Sequence, residues 1–285
     1  MRIDLHAHSD RSDGTDPPAE VLRHARAAGL DVVALTDHDT TAGWAAAAAA
    51  VPAGLTVVPG AEISCLRDGV SLHLLGYLFD PEHAALRAEL DRIRTDRDRR
   101  ARDMVARLND LGAPVTYERV AELSGGGAIG RPHVARALVE AGVVDDVPAA
   151  FTGEWIGNDG RAYVEKYSLD PARAVALVNE AGGVAVFAHP GAVKRGRVVG
   201  DDVVADLAAA GLAALEVDHP DHDPPTRERL RALAGDLGLL ATGSSDDHGA
   251  LTGRRLGCET TAPEVWEALR ERASGVAPIS APIGT

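Results

Sequence analysis

The chain has 285 residues, 45% of them hydrophobic and 25% charged, which describes an ordered globular protein with one sizeable core or two unequal domains. Its formal net charge of −14 excludes a long nucleic-acid duplex as partner, because a phosphate backbone needs a basic footprint. Two cysteines, Cys65 and Cys258, cannot build a disulfide framework and read as buried thiols in a reducing, cytoplasmic compartment.

The chain opens MRIDLHAHSDRSD, a strand over Arg2 to His8 whose period of 2 puts His6 and His8 on one face. Asp13 follows in a Ser/Asp/Gly turn and adds a carboxylate at the strand exit. No signal peptide is expected, since cleavage there would remove His6 and His8. Asp16-Pro17-Pro18 predicts a helix running to Ala28 and stopped by Gly29. Asp31 to Thr36 is a buried-type strand that delivers Asp37-His38-Asp39, and an Ala-rich helix over Thr41 to Ala50 follows. The uncharged stretch from Thr40 to Ala61 is broken by Pro52, Gly54 and Pro59, so no membrane span is expected. Leu55 to Ser64 is the third strand, with Glu62 near its exit, and Val70 to Leu78 is the fourth, carrying His73.

From Asp80-Pro81 to Ser168 the signals are helical. Leu86, Leu90, Ile93, Met104, Leu108 and Leu111 keep three- and four-residue spacing, as one long helix or a broken pair. Its middle, RIRTDRDRRARD, reads as a solvated face laced with i,i+4 ion pairs. Tyr117 to Leu123 and Pro132 to Ala141 are shorter helices flanking Gly125-Gly126-Gly127. Residues 81–168 therefore read as an inserted helical cap, and 1–80 with 169–285 as the main domain.

After Asp170-Pro171 the alternation resumes. A helix to Ala181 leads to the strand Gly183 to Ala188, which ends in His189-Pro190-Gly191. A helix over Val203 to Ala210 precedes the strand Ala213 to Val217, which ends near His219 and His222. Another helix leads to the strand Gly238 to Thr242 and the string Ser244-Ser245-Asp246-Asp247-His248-Gly249. Pro263 to Arg272 is the last helix, and the tail reads as frayed.

Alternating strands and helices imply a mainly parallel sheet or barrel, whose sites lie at the strand C-terminal ends. His6, His8, His38, Glu62, His73, His189, Asp246 and His248 fall at or near strand exits, and so many polar groups there are costly without a purpose. Imidazoles and carboxylates without thiolates suit Zn, Mn or Fe. With Asp13 these ligands number nine, enough for two or three divalent ions with positions left open, and Glu62 is the natural bridge. Two close ions lower the pKa of a shared water and clamp an in-line displacement at phosphorus.

His6-Ala7-His8 with Asp13, Thr36-Asp37-His38-Asp39, Gly60-Ala61-Glu62, the His73 strand, Ala188-His189-Pro190 and Ser245-Asp246-Asp247-His248-Gly249 resemble, in this order, the motifs of the PHP (polymerase and histidinol phosphatase) superfamily. The resemblance runs over almost the full length. It implies an α/β fold, a distorted (β/α)7 barrel with a mainly helical inserted cap, and a trinuclear metal centre. By the same resemblance, His6, His8, Glu62 and Asp246 hold the first ion, and Glu62 bridges to a second held by His73 and His189. Asp13, His38 and His248 hold the third. His83 competes with His73 but sits at a helix start and reads as a surface residue.

Gly130-Arg131-Pro132-His133, Tyr163-Val164-Glu165-Lys166 and Asn179-Glu180-Ala181-Gly182-Gly183 are similar to PHP phosphatases acting on AMP or 3',5'-bisphosphate nucleotides, relatives of which trim short RNA from its 5' end. That implies Arg131 and His133 reach a phosphate from the cap, with Lys166 and Arg195 as further candidates. The expected reaction is attack of metal-activated hydroxide on a phosphomonoester, with Glu62, Asp246 and His189 at its centre. Asp37 and Asp39 are expected to orient ligating imidazoles, and His24, His219 and His222 to serve structure, with substrate contact as the alternative for His219 and His222 because they follow a strand. The competing readings are a histidinol-phosphate phosphatase, a metal hydrolase of C–N bonds, and a non-catalytic, metal-stabilised PHP module.

Overall fold

In the computed structural model, residues 1–125, 129–167 and 169–281 are described. Of the glycine run 125–127, residues 126 and 127 lie outside that set. β1 (Ile3–Asp4) pairs in parallel with β2 (Val32–Leu35), and β2 with β3 (Thr56–Arg67). Between them run α1 (Pro18–Ala27) and α2 (Trp44–Ala48). α1 ends at Ala28 and Gly29, where Gly29 takes a φ of +76°.

β4 (Val70–Tyr77) runs antiparallel to β3, so the sheet is not uniformly parallel. The reason is local. Only Asp68 and Gly69 connect the two strands, at φ +52° and +72°, and a two-residue loop with both central residues at positive φ is an antiparallel hairpin. The reversal matters for the site: it sets His73 of β4 opposite Ser64, close to Glu62 on β3.

α3 (Ala84–Asp110) is one helix, followed by α4 (Tyr117–Leu123), α5 (Arg131–Glu140) and the short α6 (Val147–Ala150), which sequence patterning did not anticipate. Leu86, Leu90 and Ile93 of α3 pack with barrel residues such as Ile63, Leu74 and Phe187. Its second half, Ala101, Met104, Val105 and Leu108, packs instead with Val120, Val134 and Leu138 in a separate core. α3 thus ties the helical segment to the barrel.

α7 (Pro171–Glu180) returns the chain to β5 (Val184–Phe187), antiparallel to β4. α8 (Asp201–Ala209), β6 (Ala214–Asp218), α9 (Pro224–Asp236) and β7 (Leu240–Gly243) continue with parallel pairing of β5, β6 and β7. α10 (Pro263–Arg272) follows, and β8 (Ile279–Ser280) pairs with β3 where a frayed tail was expected. The strands lie in the order β1 to β7, and a parallel bridge between Ala7 and Asp247 brings the first and last together. The product is a nearly closed α/β barrel.

Ile3, Leu5, Val32, Ala34, Val58, Leu75, Val186 and Ala214 meet in one core cluster with Trp266 and Leu269 of α10. Cys65 is buried on β3, but Cys258 is exposed in the turn region before α10, contrary to the expectation of two buried thiols. Among the described residues no helix is long and apolar enough to cross a membrane.

Candidate metal centre and cleft

His6 and His8 leave β1 with their Nε2 atoms 3.1 Å apart, both buried. His6 Nε2 lies 3.2 Å from Glu62 Oε2 and 3.3 Å from Asp246 Oδ1, and His8 Nε2 lies 3.1 and 3.2 Å from the same two oxygens. Those separations are close to the edge of a tetrahedron built on metal bonds of about 2.0–2.1 Å, which is about 3.3 Å. On the other oxygen of Glu62, His73 Nδ1 is at 2.8 Å and His189 Nε2 at 3.0 Å. His38 Nδ1 is 3.3 Å from Glu62 Oε2, while its Nε2 is 3.6 Å from Asp13 Oδ2. His248 Nε2 stands 3.3 Å from Asp13 Oδ1.

Three overlapping ligand groups result: His6, His8, Glu62 and Asp246; His38, Glu62 and His73; and His8, Asp13, His38 and His248. Glu62, His8 and His38 each belong to two of them, while His189 is in none and its Nε2 approaches Glu62. His38 Nδ1, His73 Nδ1 and Asp246 Oδ1 are buried and make no hydrogen bond. A buried polar atom without a hydrogen bond is costly, and such atoms in two adjoining ligand groups, His38 and His73 in one and Asp246 in another, fit cations. The donor set of imidazole and carboxylate suits a divalent ion of the Zn, Mn or Fe kind.

Local folding builds this convergence. A side chain at Gly14 would sit 2.6 Å from the His8 carbonyl oxygen, so only glycine lets the loop turn back to bring Asp13 beside His8. Asp39, His189 and Asp246 take φ values of +54°, +33° and +49°, a strained conformation at three strand exits. Burial pushes His38 down to about 3, and burial with the Arg195 charge pushes His189 down to about 4, so both rings keep a free lone pair. Burial opposes charge on His8 too, but its bonds to Asp246 and Glu62 prevail and raise it to about 10. Desolvation opposes ionisation of Glu62, yet His38, His73 and His6 hold its carboxyl well below the ordinary range.

A PHP domain model matches residues 4–95. Over 255 residues the chain is 36% identical to the 3',5'-nucleoside bisphosphate phosphatase of Chromobacterium violaceum, covering 89% of each chain. The chain belongs to the PHP family. This PHP protein is also 33% identical over 251 residues to a 5'-3' exoribonuclease of Haemophilus influenzae, covering 87% of this chain and 90% of the relative. The crystal structure of a Bifidobacterium adolescentis protein assigned to the metal-dependent phosphoesterases superposes with a TM-score of 0.87 at 36% identity, over 95% of this chain and 96% of that one. The PHP protein is accordingly an enzyme, a metal-dependent phosphoesterase.

The residues that support the PHP ligands differ from those expected. Asp37 accepts from the Ser9 N–H at 2.8 Å, the Ser9 hydroxyl at 2.7 Å and the Ser12 hydroxyl at 2.9 Å, so it holds the Asp13 loop rather than an imidazole. Asp39 accepts from Ser64 N–H at 2.7 Å and from Arg97 Nε at 2.9 Å and Nη2 at 2.6 Å. The imidazole support comes from Glu216, buried in β6, which accepts from His6 Nδ1 at 2.9 Å. Asp4, also buried, accepts from Ser245 N–H at 3.0 Å and Gly257 N–H at 2.8 Å. Sequence reading missed both carboxylates, and the available signal was a lone acid inside an apolar strand.

A cleft of about 770 Å³ opens over the centre. Its lining includes Asp13, His38, His73 and His189 from the barrel, and Arg97, Arg100, Arg131 and Lys166 from the helical segment. The charge run of α3 is therefore not wholly a solvated face. Arg97 reaches Asp39, and Arg100, only 8% exposed, donates through Nε to the Val164 carbonyl at 2.6 Å. The ion pairs expected there do exist on the other face, from Arg99 to Asp96 and Asp103.

Arg131 lines the cleft and donates to Asn158 Oδ1 at 2.9 Å, with Phe151 and Tyr163 rings 5.4 and 5.7 Å from its guanidinium. His133 is buried behind it, and its Nδ1 accepts from Gly130 N–H at 3.0 Å at the start of α5. Lys166 donates to Ser71 Oγ at 3.0 Å, and burial with the nearby Arg97 pulls it down to about 8. Arg195 also lines the cleft but is held by Asp221 at 2.8 Å and Asp246 at 2.5 Å. His219 is buried, 3.4 Å from Asp246 Oδ2, and His222 accepts from Gly191 N–H at 3.0 Å. His83 caps α3 by accepting from Leu86 N–H at 3.4 Å, away from the ligand groups.

Proposed function

We propose that this PHP enzyme hydrolyses phosphomonoesters of small nucleotides, AMP or 3',5'-bisphosphate nucleotides, with the 5' end of short RNA as the alternative substrate. One observation carries the reading: a chain of net charge −14 concentrates Arg97, Arg100, Arg131 and Lys166 around the cleft over its ligand cluster. Among the described residues no carboxylate lies within ion-pair distance of Arg100, Arg131 or Lys166. Free positive charge above a cation-binding floor fits a phosphate ester, and the Phe151 and Tyr163 rings offer faces for a base.

In this reading residues 81–168 act as the cap, and Arg131 with Lys166 holds the phosphate toward the floor. His6, His8, Asp13, His38, Glu62, His73, His189, Asp246 and His248 hold two or three divalent ions, Mn, Zn or Fe. When bound, such ions supply Lewis acidity and a water of lowered pKa. His38 and His189, kept neutral by burial, offer nitrogen lone pairs, while Arg195 fixes the outer oxygen of Asp246. Charge developing on the phosphoryl oxygens falls against Arg131, and the leaving alkoxide takes its proton from water or a neighbouring imidazole.

The test is phosphate release by Mn-reconstituted protein from AMP, 3',5'-bisphosphoadenosine, histidinol phosphate and a short 5'-phosphorylated RNA. Release from nucleotides supports the reading and ranks its substrates. Release from histidinol phosphate alone overturns the nucleotide assignment.

A further inference from the structure

Glu216 is a fully buried acid in the middle of β6, between Leu215 and Val217. It belongs to none of the three ligand groups. Its Oε1 accepts from His6 Nδ1 at 2.9 Å and from the Ser244 hydroxyl, and its Oε2 accepts from the His189 backbone N–H at 2.6 Å. His189 is held at a φ of +33°, so that N–H bond helps to fix a strained residue. One carboxylate therefore touches two residues on opposite sides of Glu62: His6 near Oε2, and His189 near Oε1.

We propose that Glu216 is a positioning residue that sets metal affinity through two ligands at once, His6 by its ring and His189 by its backbone. The reason lies in its acceptor-only chemistry. An ionised carboxylate presents two acceptors and no donor, so it keeps the proton on His6 Nδ1 and leaves Nε2 as a lone pair. That Nε2 is the atom 3.1 Å from His8 Nε2 and 3.2 Å from Glu62 Oε2. A carboxamide of the same size cannot serve both partners. With its oxygen on the His189 N–H, its NH2 faces His6 Nδ1 and drives the proton to Nε2. With its oxygen on His6, its NH2 opposes the His189 N–H.

The inference rests on the metal-centre part of the proposed function and not on the substrate, so its test contains no nucleotide. Mn2+ content and affinity are measured for the full-length wild type, Glu216→Gln and Glu216→Asp, by metal analysis after desalting and by competition with a fluorescent chelator. The metal-free melting temperatures are recorded alongside. Glu216→Gln is expected to bind Mn2+ about 10–100-fold more weakly, the range for loss of a group that orients a ligand. Its metal-free melting temperature is expected to stay near that of the wild type, and Glu216→Asp, which keeps two acceptors, is expected to recover part of the affinity.

Wild-type Mn2+ affinity in Glu216→Gln overturns the role, whether or not the melting temperature falls. A wild type that binds no Mn2+ overturns the metal centre and this role with it. Should neither variant fold, histidine NMR of the Zn2+-loaded wild type decides. Zinc on His6 Nε2 with a proton on Nδ1 supports the role, and zinc on Nδ1 overturns it.

Discussion

The barrel mouth and the helical segment face the same cleft, but they carry charge in opposite ways. At the mouth, Glu62 is surrounded by His6, His8, His38, His73 and His189 at 2.8 to 3.3 Å, and several of the buried atoms there still lack a hydrogen bond. Across the cleft, Arg100 and Arg131 bond only to carbonyl oxygens and the Asn158 side chain among the described residues. The first arrangement suits a cation. The second leaves positive charge free for an anion, and a phosphoester needs both.

The sharpest way to break this contrast is at the mouth. His8 serves two ligand groups, so His8→Ala is expected to lower kcat/KM for phosphate release by more than about 10³-fold, the scale of a metal contribution of several kcal/mol. Metal content measured beside activity must fall with it. A His8→Ala variant with full activity would separate this centre from the chemistry.

Arg97 joins the two regions. Asp39 is fully buried and Arg97 mostly so, and removing one partner of a buried pair leaves a charge uncompensated. Arg97→Ala is expected to destabilise the fold by about 3 kcal/mol, the lower end for a broken buried pair, as read in urea unfolding. An unchanged midpoint would show that α3 does not depend on this contact.

Arg131→Ala bears on the anion side alone. It is expected to lower kcat/KM for nucleotides by about 10–100-fold while Mn2+ content stays at the wild-type value, the scale of truncating one partner of a charged contact. Equal activity of the two proteins would take Arg131 out of phosphate binding.

The smallest effect concerns Lys166, which burial and Arg97 draw from its ordinary value to about 8. A lysine with a lowered pKa is charged below that value and neutral above it. kcat/KM for nucleotides is therefore expected to fall as pH rises through about 8, and Lys166→Arg, which stays charged, is expected to remove that limb. A profile identical in both proteins would take Lys166 out of phosphate binding.

Much of the mouth was legible in the sequence, because each motif there is short and stands at a strand exit. His6 and His8 are two residues apart, His38 follows a buried strand, and Ser245 to Gly249 close β7. The β3–β4 hairpin was legible too, in Asp68-Gly69, although the pattern of alternating strands and helices hid it. The dual nature of α3 was not. A run of mixed charges looks alike on every face until packing turns Arg97 and Arg100 inward and leaves Arg99 outside.

The seven main strands, the family and the histidine-rich motifs at the strand exits were legible in the sequence alone, since hydrophobic period, capping residues and strand-exit motifs are local properties. Tertiary structure alone decided which carboxylate answers which ring: Glu216 meets His6 across 210 positions, and Arg97 meets Asp39 across 58. Such partners are fixed only when the barrel closes, because a buried polar group is satisfied by whatever side chain the fold brings within about 3 Å, not by its neighbours in the chain.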